Sequence, residues 1–173
     1  MYGPIVDEQR VFQVGEGFAG AGDDAAHVNT VLGSRDGPVG TAWATALASP
    51  SEGHVPFVAV ARPNVPVQPP TLFVNKATLA GPEHERLTWG AAQAGVAAGV
   101  ALAVRDGAVT AAMVGDVVVI AAVWVAPSAR DASMVFANNR DATRAALGMG
   151  SRGGPVADEV AAASEQPENP FYP

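Results

Sequence analysis

The sequence contains no cysteine. Disulfides, thiolate metal sites and a cysteine nucleophile are thereby excluded. Aromatic residues make up only 6% of the chain, although hydrophobic residues reach 49%. Most of that apolar share is alanine and valine, which implies close approach between helices and sheet rather than a bulky aromatic core. Positive charge is scarce too. The formal net charge is -7, so nucleic acid and anionic membranes are poor partners. No basic region followed by an apolar run opens the sequence, and MYGPIVDEQR does not read as a signal peptide. P-loop, HExxH and GxSxG motifs are missing, and His27, His54 and His84 show no metal-ligand spacing. The expectation is a soluble, cytoplasmic, globular protein without a metal, and 173 residues suit one domain.

What is present reads as alternating strands and helices. Residues 1–9 form a loose lead. VFQVGEGFAG (11–20) and AAHVNTVLG (25–33) are strands joined by the turn signal AGDD (21–24). Pro38 stands near the start of a short helix over 41–49. A strand within 53–64 and another over 71–80 flank the loop PNVPVQPP, since proline cannot donate to a ladder. Pro82 and two glutamates open the longest helix, which stops at Asp106-Gly107. Gly90, Gly95 and Gly99 each weaken it by roughly 1 kcal/mol relative to alanine, which makes sense where the backbone lies very close to a neighbour such as the sheet. The stretch 107–126 is the most apolar; Asp116 is costly in lipid, and VVVIAAVWV (117–125) reads as a buried central strand. A last helix covers 131–149. Residues 1–150 thus form a single α+β domain with helices on one face of a sheet, and 151–173, rich in Gly, Pro, Ser and Glu, form a flexible tail. The sheet's other face is apolar as well, so self-association is expected.

GEGFAG (15–20) matches GxGxxG literally, but a turn and a strand follow it where dinucleotide binding needs a helix. More telling are polar residues inside strands. Ala25, His27 and Asn29 share one strand face. Such a histidine is either hydrogen-bonded to backbone or part of a site. Leu72, Val74, Lys76 and Thr78 share another face, where a lysine either snorkels at the sheet edge or sits in a cleft. Gln93, mid-helix among small residues, is by itself a solvent-facing position.

These positions fall within a wider pattern. VGEGFAGAGDDAAHVNTVLG (14–33), GPVGTAWATALASPSEGHVPFVAVARPNVP (37–66), TLFVNKAT (71–78), WGAAQAGVAAGVALAV (89–104) and NNRDATRAAL (138–147) together resemble the formaldehyde-activating enzymes. The likeness covers about residues 11–150 and runs without a gap from Val14 to Gln93. It implies a ribosomal-protein-S5-domain-2-like fold and a homopentamer with sites between subunits. It also implies a reaction in which formaldehyde condenses with tetrahydromethanopterin, a reduced-pterin co-substrate, to give the methylene derivative and water. By position, His27 matches the family's proposed general acid; Lys76, Thr78 and Gln93 match pterin-contacting residues; Val58 matches an apolar contact that is usually leucine. The chemistry suits them. An amine adds to the carbonyl, the carbinolamine loses its hydroxyl as water, and a second nitrogen captures the iminium. Hydroxyl leaves once protonated, and an imidazole with a pKa near ~6.5 supplies that proton near neutrality.

The chain departs from the family pattern at informative places. Asn29 replaces an aspartate, keeping its shape but not its charge, which lowers the expected basicity of His27. Ala21 replaces the aspartate of VGDG, and Ala126 stands where the family has a histidine. Three functions are compatible: the family reaction or one close to it, an enzyme joining an aldehyde to a different amine, and a non-catalytic formaldehyde or pterin binder.

Overall fold

Alternation of small and large residues decides how the sheet is clothed. The computed structural model describes residues 12–153 and 155–168; the expected lead over 1–9 and the last residues of the tail lie outside them. Strands β1 (Phe12–Ala19) and β2 (Ala26–Ser34) form an antiparallel hairpin around a short turn at Gly22–Asp24. β2 pairs antiparallel with the long apolar β7 (Val117–Trp124). β7 in turn pairs in parallel with β6 (Thr71–Asn75), and β3 (Phe57–Val58) completes the order β1-β2-β7-β6-β3. The sheet is therefore mixed. The segment 53–64, expected to hold one strand, carries β3 and then β4 (Val60–Arg62), and β5 (Val65–Pro66) falls in the proline-rich stretch expected as a plain loop; β4 and β5 form a small hairpin turning at Asn64 with φ 65°. Asparagine tolerates that left-handed conformation better than most residues.

Five helices accompany the sheet among the described residues. α1 (Pro38–Ala48) begins with its proline in the first turn. α2 (Pro82–Arg86) runs through a π-helical turn at Leu87–Ala92 into α3 (Gln93–Arg105). α4 (Ala132–Ser151) starts at Asp131, whose carboxylate accepts from the backbone N–H of Ser133 and Met134 at 2.8 and 3.1 Å. α5 (Ala157–Ala162) is short and exposed, within the segment expected as a tail. The continuous helix Pro82–Arg105 has the length and hydropathy of a membrane span, but half of its apolar window is buried in the fold. Its glycines explain themselves by contact. A Cβ at Gly95 or Gly99 would collide with the α4 backbone carbonyls of Phe136 or Arg140. The close neighbour is thus α4 and not the sheet. Gly90 meets nothing within 4 Å and has no such reason.

The same device seats α4 on the sheet. Gly15 and Gly17 are buried on β1, and a Cβ on either would run into the carbonyls of Ala146 and Ala142. The first two glycines of the GxGxxG look-alike are therefore packing positions. α3 and α4 cover the face that carries Val28, Leu32, Phe73, Val119 and Val123, and these residues belong to the main core.

Helices do not all lie on one face, as the sequence suggested. α1 contacts β2 and β7, outside the α3–α4 layer. Val39 of α1, Leu72 and Val118 are buried apart from the main core cluster, and Leu72 and Val118 alternate to the opposite face. A few hydrophobic residues following β2 suffice to cap that end. The rest of this second face stays open, with Phe12 65%, Val14 51% and Phe18 39% exposed.

Candidate active site

The open face is where the polar strand residues emerge. Hairpin register sets Glu16 opposite Asn29 and Phe18 opposite His27. Across β2, Trp124 faces His27 and Ala122 faces Asn29. Because β6 and β7 run parallel, the chain leaves β6 beside Trp124, and Lys76 continues the ladder by donating its N–H to the Val123 carbonyl at 2.8 Å. A lysine stem is long enough to cross one strand, and Ala122 is too small to block it.

Four side chains meet there. The His27 Nε2 lies 2.9 Å from the Glu16 carboxylate. The Lys76 Nζ lies 3.3 Å from His27 Nδ1 and donates to Asn29 Oδ1 at 2.8 Å. A carboxylate only accepts, so the proton of neutral His27 belongs on Nε2, leaving the Nδ1 lone pair to accept from the ammonium. Burial pushes the His27 pKa below its ordinary value of 6.5, and the Lys76 cation pushes it further; the Glu16 anion opposes both. Lys76 is likewise lowered, by burial against the pull of Glu16. His27 is thus less basic than a free imidazole chiefly because it is buried, and Glu16 supplies an anion beside it.

A second polar cluster fixes the segment after β6. The Asn75 side-chain amide donates to the carbonyls of Gly53 and Ala77, both at 2.7 Å. His54 Nδ1 lies 2.8 Å from the Asn75 carbonyl, and its Nε2 is 3.5 Å from Thr78 Oγ1. These bonds tie residues 53–54 to 75–78 and so position Lys76 and Thr78. The backbone-bonded histidine considered for His27 is instead His84: buried, accepting from the Ala80 N–H and bonded to the Val125 carbonyl, each at 3.0 Å.

The structure brings His27, Asn29 and Lys76 together and sets Thr78 two residues beyond Lys76. Val58 sits on β3, opposite Leu72, and its side chain shares the open face. Gln93 stands apart: it is buried on α3, behind the sheet, with Nε2 donating to the Val60 carbonyl at 2.9 Å. It is not solvent-facing, and it does not meet His27 within one chain. Glu16 was missed from sequence. The signal was there, since residues 16 and 29 are equidistant from the turn at 21–24. Two grooves flank the cluster. One, of about 630 Å³, is lined by Phe12, Val14, Glu16, Asn29, Met149 and Arg152. The other, of about 420 Å³, is lined by Phe18, Asp23, Trp124 and Ala126.

An acid–base chain of carboxylate, imidazole and amine on an open sheet face suits addition and dehydration at a carbonyl. Comparison with known proteins agrees. The family model described as formaldehyde-activating enzyme (Fae) matches residues 14–172. The chain belongs to the formaldehyde-activating enzyme family. Among its relatives, a 5,6,7,8-tetrahydromethanopterin hydro-lyase of Methanosarcina barkeri is 36% identical over 158 residues, covering 91% of this chain and 89% of that one. A bifunctional enzyme Fae/Hps of Methanosarcina mazei is 37% identical over 150 residues, 87% of this chain and 38% of that protein. Its counterpart in Methanosphaera stadtmanae is 36% identical, with 93% and 40% covered. The chain thus spans about two fifths of the bifunctional relatives it matches. Within the formaldehyde-activating enzyme family, a hydro-lyase is by name a carbon–oxygen lyase.

Proposed function

We propose that this chain condenses formaldehyde with tetrahydromethanopterin, or a closely similar reduced pterin, to the methylene derivative and water, with His27 as general acid. The observation that carries this reading is the continuous contact Glu16–His27–Lys76. Glu16 stabilises the imidazolium, and protonation of the departing hydroxyl by that general acid is typically worth ~10²–10⁴-fold. Asn29, Val58, Lys76, Thr78 and Gln93 are the positions that contact substrate. Orienting two nitrogens around one carbon supplies much of the remainder, since formaldehyde and amines also combine unaided.

The reading includes a ribosomal-protein-S5-domain-2-like fold, one catalytic domain over 1–150 with an appended segment over 151–173, and a homopentamer with sites between copies. Two features support shared sites: the exposed Phe12, Val14 and Phe18 beside the cluster, and Gln93 lying behind the sheet from His27. A second reading, an enzyme joining an aldehyde to a different amine, is favoured by Asn29 being engaged by Lys76 and by Ala126 widening a groove beside Trp124.

The test is to follow methylene-product formation from formaldehyde and tetrahydromethanopterin with and without purified protein. Acceleration above the spontaneous rate is expected. A rate equal to the spontaneous one with tetrahydromethanopterin, and acceleration with another amine, would replace this reading by the second. Light scattering at five chain masses is the expected result for the assembly; a monomer removes the shared site.

A further inference from the structure

Lysine is almost missing from this chain. Of its 10 Lys and Arg residues, Lys76 alone is a lysine. Arginine stays protonated and does not add to carbonyls, and cysteine is absent. Lys76 is therefore the one strong side-chain nucleophile that an aldehyde meets on the sequence, and it stands at the candidate active site. We propose that Lys76 is the covalent acceptor of the aldehyde, carrying it as a methylene iminium before it passes to the substrate amine. This deepens the formaldehyde reading above and rests on it.

The surroundings of Nζ fit that task. Both His27 nitrogens are already engaged, Nε2 by Glu16 and Nδ1 by Lys76. A hydroxyl on a free carbinolamine reaches an imidazole proton only by displacing one of these partners. A carbinolamine built on Nζ has its hydroxyl one carbon away from Nζ, within reach of Nδ1, with no partner lost. Asn29 Oδ1 holds Nζ from the other side. Burial lowers the Lys76 pKa, which raises the fraction of free amine, as in other Schiff-base lysines.

The steps balance without any oxidant. Nζ passes a proton to His27 Nδ1, and its lone pair forms the C–N bond to formaldehyde. A proton moves from that nitrogen to the former carbonyl oxygen, giving the neutral carbinolamine. His27 returns its proton to the hydroxyl, the C–O bond breaks, and water and the Lys76 iminium result. A substrate nitrogen then attacks the methylene carbon and transfers its proton to Nζ, which departs as free amine. The second substrate nitrogen closes on the new iminium, and the proton it loses restores the Lys76 ammonium.

The full chain, incubated with formaldehyde and cyanoborohydride beside Nα-acetyl-lysine as competitor, reports this directly by peptide mass spectrometry. Methylation of Lys76 roughly tenfold faster than of the competitor is expected, from the lowered basicity of a desolvated lysine. Methylation at or below the competitor's rate overturns the proposal, and this measurement needs no variant. Lys76→Arg keeps the cation but cannot form the iminium. It should lose most of kcat for pterin condensation; an unchanged kcat overturns covalent capture while leaving the condensing function intact. Conversely, rapid trapping at Lys76 without any acceleration of pterin condensation supports capture and removes the pterin reading alone.

Discussion

The two faces of this sheet are built on opposite rules. On the helical face, Gly15, Gly17, Gly95 and Gly99 let backbones approach until no side chain fits between them, and the core is filled by apolar residues such as Leu32, Phe73, Leu87 and Leu147. On the open face, β1 and β2 present Glu16, His27 and Asn29 between exposed phenylalanines. One face is complete in itself; the other holds charge that its own chain leaves uncovered. The comparison teaches where substitution acts: stability resides behind the sheet, and the proposed chemistry in front of it.

Four experiments break or sharpen this division. The largest effect falls on the front. His27→Ala should lower the accelerated condensation by ~10²–10⁴-fold, with an unfolding midpoint close to wild type. An unaffected rate, measured by product absorbance, removes the acid role. Next comes the back: Gly15→Ala drives a methyl into the Ala146 carbonyl and should cost about 3 kcal/mol, at the upper end for overpacking, in urea unfolding. A neutral result would show that α4 is free to move away from β1.

A subtler change separates charge from shape. Glu16→Gln preserves an acceptor for Nε2 but removes the anion that raises both His27 and Lys76. If the active form is the pair holding one proton between them, activity is lost as pH falls through the His27 midpoint and again as pH rises through that of Lys76. Both limbs of the kcat profile should move to lower pH in the variant; limbs that stay in place refute the electrostatic role of Glu16. The smallest effect is on the fold. His27 has a depressed pKa, so the unfolded chain binds the extra proton more readily, and the stability it contributes is present above pH 6.5 and lost as pH falls through the lower folded value. Urea midpoints compared with those of His27→Gln should show this difference only on the acid side.

Much of this arrangement could be read from the sequence. Periodicity placed β1, β2, β7, the long helix and α4, and the turn at 21–24 fixes the hairpin register that pairs Glu16 with Asn29. The parallel pairing of β6 with β7 was not legible, because nothing local distinguishes which edge a strand will choose. That pairing is what delivers Lys76 to His27. The hairpin at β4 and β5 was hidden by its prolines, which occupy positions needing no ladder donor. Gln93 looked solvent-facing because its acceptor, the Val60 carbonyl, comes from 33 residues away in that same hairpin. Resemblance to the family supplied roles for residues whose contacts no periodicity could reveal.

Glu16, His27 and Asn29 rise from paired strand positions, and Lys76 follows β6 by a single ladder bond. Their spacing is therefore an interstrand spacing, set when the sheet forms. Binding need not freeze a loop to assemble the reacting groups, so little ordering entropy is charged against affinity. In the proposed reaction, selection among amines can then drift through the groove walls at Ala126 or Met149 while Glu16, His27 and Lys76 stay where the ladder put them.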